Sequence, residues 1–128
     1  MINGSTAPIW LAMILAPQSR FTRWLVGRVP ELLVALGLSY DMLLASGVAR
    51  RGRMTNFLDP DAVRAALASH DIFLASWAHY LSFDLFVGRW IWDDSVSRGK
   101  PARLALALTW VAGPSGLSYY LLLGRRHA

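Results

Sequence analysis

Three ionisable residues interrupt an otherwise apolar stretch of the sequence, WAHYLSFDLFVGR at residues 77–89: His79, Asp84 and Arg89. A carboxyl group and an imidazole in such surroundings favour proton transfer to and from a lipid-soluble substrate. A carboxylate near the centre of a bilayer costs a few kcal/mol even on lenient insertion scales. Asp84 is therefore a candidate catalytic residue, with His79 as the second.

The same residues also have structural interpretations. A lone histidine such as His79 is more typical of a hydrogen bond between helices, and the aromatic residues around it are typical of packing. Arg89 is expected to snorkel or to form a structural ion pair with Glu31 or Asp93. Asp41, in the preceding apolar segment, is a weaker candidate because a small shift of the helix boundary would move it toward the surface.

Other kinds of chemistry find little support. The chain has no cysteine, which excludes disulfides, iron–sulfur clusters and thiol catalysis. It contains no nucleotide-binding loop, zinc-protease helix or serine elbow. One histidine with a few carboxylates is a poor zinc set, although it could hold a hard or ferrous ion. We expect neither a metal nor another cofactor.

The elements that must position these residues are apolar helices. Of 128 residues, 55% are hydrophobic and only 16% are charged, whereas about a quarter are charged in a typical soluble domain. Three of four apolar segments approach the roughly 20 residues that cross a hydrocarbon core. We predict an all-α polytopic membrane protein, a single domain over 1–128, with a bundle of four transmembrane helices at about 5–17, 29–47, 71–92 and 102–123.

The charges fit this arrangement. The net charge is +5, but the basic residues cluster at the ends of the apolar segments. This pattern indicates contact with membrane lipids and not with nucleic acid. Asp59 and Pro60 begin a short helix through Ala68 that is too polar to span and is expected at the membrane interface. Asp93 and Asp94 are expected to end the third helix.

With four spans the basic residues divide equally, six on each side, so the positive-inside rule gives no orientation. Antiparallel neighbours rising about 1.5 Å per residue would place Asp41 level with Tyr80. Gly113 and Pro114 would reach the same depth, and Pro114 would free the carbonyl of Trp110. One midplane site would then gather Asp41, His79, Tyr80, Asp84 and the broken turn. His79 and Asp84 lie about 140° apart around their helix, so they need not touch.

Four motifs carry a family resemblance: WAHYLSFDLFVGRWIWDD, LTWVAGPSGLSYYLL, PELLVALGLSYDMLL and PIWLAMILAP. Together they cover nearly the whole chain, and they resemble the small four-helix membrane family of the plant protein abscisic-acid-deficient-four, or neoxanthin synthase. In plants that family is associated with converting the epoxy-carotenoid violaxanthin into the allenic neoxanthin. The resemblance implies an integral membrane protein of carotenoid metabolism.

Opening an epoxide while removing a proton calls for an acid and a base, and the resemblance implies those roles for His79 and Asp84. Arg89 would support the site, and the binding residues would be Asp41, Trp77, Tyr80, Gly113 and Pro114. The alanine- and arginine-rich composition looks bacterial, which favours the inner membrane and another carotenoid or isoprenoid lipid as substrate. Fold transfers within a family more securely than substrate does.

Two further functions remain open. The chain could be a non-catalytic module that binds a pigment or lipid, or a subunit that supports a partner enzyme. A small transporter or proton channel is a third interpretation, and four short helices would form one only as a homo-oligomer.

Overall fold

The structure is a computed structural model that describes residues 2–127, with the side chains of residues 4–126. Throughout these described residues the regular elements are helical, which confirms the all-α expectation. They are α1 (Ile2–Leu15), α2 (Arg20–Val26), α3 (Val29–Arg51), α4 (Pro60–Leu67), α5 (His70–Ser97), α6 (Arg103–Ala112), α7 (Pro114–Tyr119), a π-helical turn (Tyr120–Gly124) and α8 (Arg125–His127).

The chain forms two compact units. Unit 1 comprises Met1–Leu32 and Phe83–Ala128, and unit 2 comprises Leu33–Ser82. The long helices α3 and α5 each contribute residues to both. The single four-helix domain stays a prediction.

One helical stretch in the described part of the chain, within Arg20–Arg51, is long and apolar enough to cross a membrane. Only 11% of its most apolar portion is buried in the protein. The helices Gly4–Leu15 and Arg103–Ala112 are apolar but shorter. A bundle of four complete spans is therefore not established by helix length.

In unit 1 a polar corner joins α1 to α2. Thr22 donates its hydroxyl to the carbonyl oxygens of Ala12 (3.1 Å) and Ala16 (2.6 Å) at the end of α1. Ser19 caps α2 by accepting from the backbone N–H of Thr22. The indole Nε1 of Trp92 donates to the carbonyl of Pro17 at 2.9 Å, which fixes this corner to α5.

Helix α1 packs on α5 through an aromatic residue over a glycine. Trp10 is 1% exposed, and a Cβ at Gly88 would overlap its ring. The Trp10 ring also stacks on Trp110 of α6, with centroids 6.2 Å apart and planes 8° from parallel. Gly88 is thus required because the Trp10 ring lies too close for any side chain at this position. The residues next to Gly88 in the sequence do not indicate this contact.

Helix α5 runs past the two aspartates that were expected to end it. It ends where Gly99 adopts φ +69°. The Gly99 N–H donates to Val96 and the Lys100 N–H to Ser95, the two bonds of a Schellman motif. The prediction that Asp93 and Asp94 stop the helix was wrong because carboxylates near a helix C-terminus are unfavourable but do not break backbone hydrogen bonds.

The fourth apolar segment is not one continuous helix. Helix α6 has ten residues, about 15 Å in length, and ends at Gly113, which has φ +31° and ψ −92°. Beyond the break, Gly116 lies directly against the backbone of Thr109, whereas residues seven apart in a straight helix are separated by about 10 Å. The chain therefore folds back, and α6 with α7 and the π turn form a helical hairpin.

In unit 2, polar contacts join the end of α3 to the start of α5. Asp71 accepts a hydrogen bond from Ser46 at 2.6 Å and forms an ion pair with Arg50 at 3.2 Å. Nearby, Gly47 lies against the side chain of Ile72. Helix α3 was expected to end near Gly47 but ends four residues later, at Arg51. Gly47 lies inside the helix, where it allows Ile72 to pack closely.

The short helix α4 confirms its predicted start. Asp59 accepts from the backbone N–H of Asp61 at 3.0 Å, and Pro60 occupies the first turn. Its expected position at the membrane interface stays a prediction.

Candidate functional site

The strongest candidate site lies in unit 1, where Asp84 meets the break between α6 and α7. A Cβ at Gly113 would lie 2.6 Å from Oδ1 of Asp84, closer than real Cβ atoms approach. Because glycine has no side chain, the half-buried carboxyl group can lie against the backbone of the break. The structure thus brings together three of the predicted residues: Asp84, Gly113 and Pro114.

A pocket of about 130 Å³ opens at this point, with one ionisable group among apolar neighbours. Its lining consists of Phe83, Asp84, Val87, Gly113, Pro114 and Leu117. The volume is close to the roughly 150 Å³ of an apolar cavity that holds benzene. The pocket therefore has room for one ring-sized group beside a carboxyl group.

Pro114 affects the backbone of the break because it has no N–H group. In a regular helix the nitrogen of residue 114 would donate to the carbonyl of Trp110, and proline cannot. The bonds that cross the break go elsewhere: the Gly113 N–H donates to Thr109 at 2.8 Å, and the Leu117 N–H to Gly113 at 3.4 Å. The carbonyl of Trp110 therefore lacks its helical donor, and it lies in the turn that precedes the Gly113–Pro114 wall of the pocket.

Two other predicted binding residues, Trp77 and Tyr80, line a larger pocket in unit 2. Its volume is about 480 Å³, and its lining is Arg64, Leu67, Ala68, Phe73, Ser76, Trp77 and Tyr80. The rings of Phe73 and Trp77 are 6.2 Å apart and 22° from parallel. Flat apolar walls with one arginine at the rim suit a lipid or pigment.

His79 and Asp41 also lie in unit 2. The His79 imidazole is exposed and neighbours two tyrosine rings, with centroids 5.9 Å from Tyr40 and 6.1 Å from Tyr80. Asp41 is exposed on α3. Of the members expected in a single midplane site, the Asp84 pocket belongs to unit 1 and the other residues belong to unit 2. The single site therefore stays a prediction.

The ion pairs at Glu31 and Arg89 are local ones. Glu31 lies 4.0 Å from Arg28, and Arg89 lies 3.7 Å from Asp93 one turn later on α5. Asp93 was one of the two partners expected for Arg89; Glu31, the other, pairs with Arg28, since side chains three or four residues apart on a helix already lie within reach.

Sequence reasoning missed a polar cluster around Asp94 in unit 1. Oδ2 of Asp94 accepts from the Tyr120 hydroxyl at 2.5 Å and from Nε of Arg98 at 3.1 Å. Arg125 places its Nε 3.3 Å from the same oxygen. The Tyr120 hydrogen bond is the largest cause that holds the pKa of Asp94 below its ordinary value; Arg98 and Arg125 act in the same direction, and burial opposes this shift.

This cluster depends on the hairpin and its π turn. Tyr120 begins the π turn, and its ring meets Trp90 edge-on at 5.8 Å. Tyr120 lies 26 residues from Asp94 in the sequence. The Gly-Pro pair indicated an interrupted helix here, but it did not indicate the direction of the segment that follows.

Within the described residues, no three histidine or acidic side chains come close enough together to hold an ion.

Comparison with known proteins gives one match. The model of the family described as ABA DEFICIENT 4-like matches residues 1–120. No curated protein and no solved structure matches the chain. The family match covers all the residues of the Asp84 pocket and agrees with the resemblance carried by the motifs. The chain therefore belongs to the ABA DEFICIENT 4-like family.

Proposed function

We propose that this chain is an integral membrane protein that isomerises a carotenoid-like or isoprenoid lipid, with Asp84 as a proton-transfer group. Family membership supports the class of lipid, because the family resemblance is to proteins that act on an epoxy-carotenoid. The observation that carries the proposal is the half-buried carboxyl group of Asp84, which faces a ring-sized pocket at a broken helix.

A membrane location agrees with the surface of the helices. Large apolar side chains point outward, among them Leu38 at 60%, Met42 at 73% and Val111 at 84% exposure. Exposed apolar side chains in such number are unfavourable in water. Irregular backbone at membrane depth is tolerated where protein covers it, and Gly113 is buried. Bacterial origin and an inner-membrane location remain part of the proposal.

The proposed reaction is an isomerisation and needs no oxidant or reductant. One carbon–oxygen bond of an epoxide breaks, and the oxygen takes a proton from an acid. A base removes a proton from a carbon, and that electron pair forms the new carbon–carbon double bond. Asp84 would supply or take one of these protons at the pocket. His79, on the same helix but in unit 2, is the proposed second group and is tested separately.

The experiment compares Asp84→Asn with Asp93→Asn in a carotenoid-producing host. Asp84→Asn keeps the shape of the side chain and the contact with Gly113 but removes its acid–base function. Asp93→Asn is the matched control because this aspartate lies on the same helix and is largely exposed. Pigments are extracted and resolved by chromatography with absorption and mass detection.

We expect the parent protein and Asp93→Asn to give a product with the mass of the substrate and an altered spectrum. We expect at least a hundredfold less from Asp84→Asn, at equal yield of folded protein, because a positioned acid or base contributes roughly 10²–10⁴-fold. Normal conversion by Asp84→Asn would rule out the role of this residue. The same comparison with His79→Ala decides the second role.

The aromatic pocket of unit 2 favours one alternative, a non-catalytic module that binds a pigment or lipid. This pocket is the larger of the two, and Arg64 is the charged residue in its lining. A protein of this kind would retain an unchanged pigment through purification. It would lose that pigment in Trp77→Ala but keep it in Asp84→Asn.

A further inference from the structure

The hairpin in unit 1 returns the end of the chain to the place where the fourth segment began. Tyr119 and Gly124 line a cavity of about 170 Å³ together with the first turn of α6, residues 101–105. Tyr120 and Arg125 reach Asp94, three residues before the end of α5. The fourth segment therefore begins and ends on the same side of unit 1.

This geometry changes the distribution of positive charge. A crossing helix would carry Arg125 and Arg126 to the opposite side from the loop between α5 and α6. The hairpin instead brings them beside Arg98, Lys100 and Arg103. These five side chains, all in unit 1, form what we call the basic surface.

Among the described residues, Asp94 is a carboxylate that lies next to these basic side chains, and it already has hydrogen-bond partners. Asp94 accepts from Tyr120 and, through both its oxygens, from Arg98. Nε of Arg125 lies near Oδ2 but makes no hydrogen bond, so the attraction there is electrostatic only. Lys100, Arg103 and Arg126 are exposed, and none of them takes part in an ion pair among the described residues.

We propose that the basic surface binds anionic phospholipid headgroups of the cytoplasmic leaflet. Charge complementarity selects this occupant: guanidinium groups pair with phosphate, and clustered basic residues at a membrane boundary favour the anionic leaflet. The proposal rests on the membrane location proposed above, but not on the isomerase activity.

The hairpin also gives an orientation that four crossings could not. The basic residues between α1 and α3 are on the side of the α1–α2 corner, which Trp92 fixes near the end of α5. With the C-terminal arginines on that side, it carries Arg20, Arg23, Arg28, Arg98, Lys100, Arg103, Arg125 and Arg126. Apart from Arg89 within α5, these are all the basic residues of unit 1. The positive-inside rule then assigns the basic surface to the cytoplasm.

The first test measures headgroup binding. Full-length protein, extracted from the membrane fraction in a non-ionic detergent, is titrated with dioctanoyl phosphatidylglycerol, dioctanoyl phosphatidylcholine or inorganic phosphate. The readout is the midpoint of thermal unfolding. We expect a saturable rise with phosphatidylglycerol and none with the other two. Arg103→Gln should weaken the apparent affinity about fivefold, equivalent to the roughly 1 kcal/mol that one basic residue contributes near an anionic surface.

The matched control is Arg53→Gln, an exposed arginine in unit 2, which should leave the affinity unchanged. An equal rise with phosphatidylcholine would overturn the proposal. So would an equal loss of affinity in Arg53→Gln, or full affinity in Arg103→Gln. If inorganic phosphate reproduces the rise at the same concentration, the site takes a free anion and the lipid assignment is wrong. Recovery from the membrane fraction reports the membrane location independently of these outcomes.

The second test measures sidedness and uses the absence of cysteine in the chain. Single substitutions Lys100→Cys and Arg126→Cys are labelled in spheroplasts with a membrane-impermeant maleimide. We expect both to react only after lysis. Reaction of Arg126→Cys before lysis, with Lys100→Cys protected, would mean that the fourth segment crosses the membrane, and the basic surface would not exist.

Discussion

The contact between Gly88 and Trp10 allows a stability prediction whose sign can be worked out from the structure. In an open position, Gly→Ala inside a helix stabilises by roughly 1 kcal/mol. At Gly88 the added methyl group would overlap the Trp10 ring. That ring is 1% exposed and stacked on Trp110, so it has no free space into which to move. Overpacking of this kind costs about 1–3 kcal/mol, and we expect Gly88→Ala to lower the free energy of unfolding by up to about 2 kcal/mol.

The control is Gly37→Ala, because Gly37 also lies inside a long helix but has no atom within 4 Å of a Cβ. It should stabilise by up to about 1 kcal/mol. Both variants are unfolded by heat in detergent and followed by circular dichroism at the helical band. In a Trp10→Leu background the penalty at Gly88 should shrink, since a leucine side chain can rotate away. If Gly88→Ala and Gly37→Ala stabilise equally, the packing of α1 on α5 described above is incorrect.

Two further predictions concern the polar clusters. The stability that Asp94 contributes should be fully present above the ordinary aspartate pKa of about 4 and be lost as pH falls through its lowered pKa. Tyr120→Phe removes the main cause of the lowered pKa, so the loss of stability should be smaller in thermal unfolding measured from pH 6 downward. An unchanged pH profile in Tyr120→Phe would contradict this. Ser46→Ala should lower the free energy of unfolding by about 1–3 kcal/mol, because Asp71 loses a charge-assisted hydrogen bond. The control is Ser39→Ala, because the Ser39 hydroxyl donates to a carbonyl of its own helix. Its loss of stability should be less than half as large in the same unfolding assay.

Helix content and the position of the break follow from local patterns in the sequence. The apolar segments predict helices, Asp59 and Pro60 predict the start of α4, and the Gly113–Pro114 pair predicts the interruption. These features depend on residues close together in the chain, where capping and the missing proline N–H act. The proximity of Asp84 to this break could also be predicted, because the rise per residue gives the depth of each residue along antiparallel helices.

The remaining features depend on distant residues. Gly88, Gly47 and Gly116 look alike in the sequence, yet each is required by a different neighbour: Trp10, Ile72 or Thr109. Antiparallel crossing was assumed for all four segments, and this assumption separated Arg125 from Arg98. Whether an apolar segment reverses depends on the residues against which its second half packs. The hydrophobic periodicity of the sequence does not identify those residues.

The stacked indoles of Trp10 and Trp110 have a spectroscopic consequence. Two nearly parallel rings 6.2 Å apart are close enough for their electronic transitions to couple, and such coupling changes the aromatic circular dichroism band. One ring belongs to α1 and the other to α6 beside the break. Insertion of a ligand that pushes the hairpin outward would separate the rings and weaken the band. The protein thus carries an internal optical reporter of hairpin movement that needs no added label.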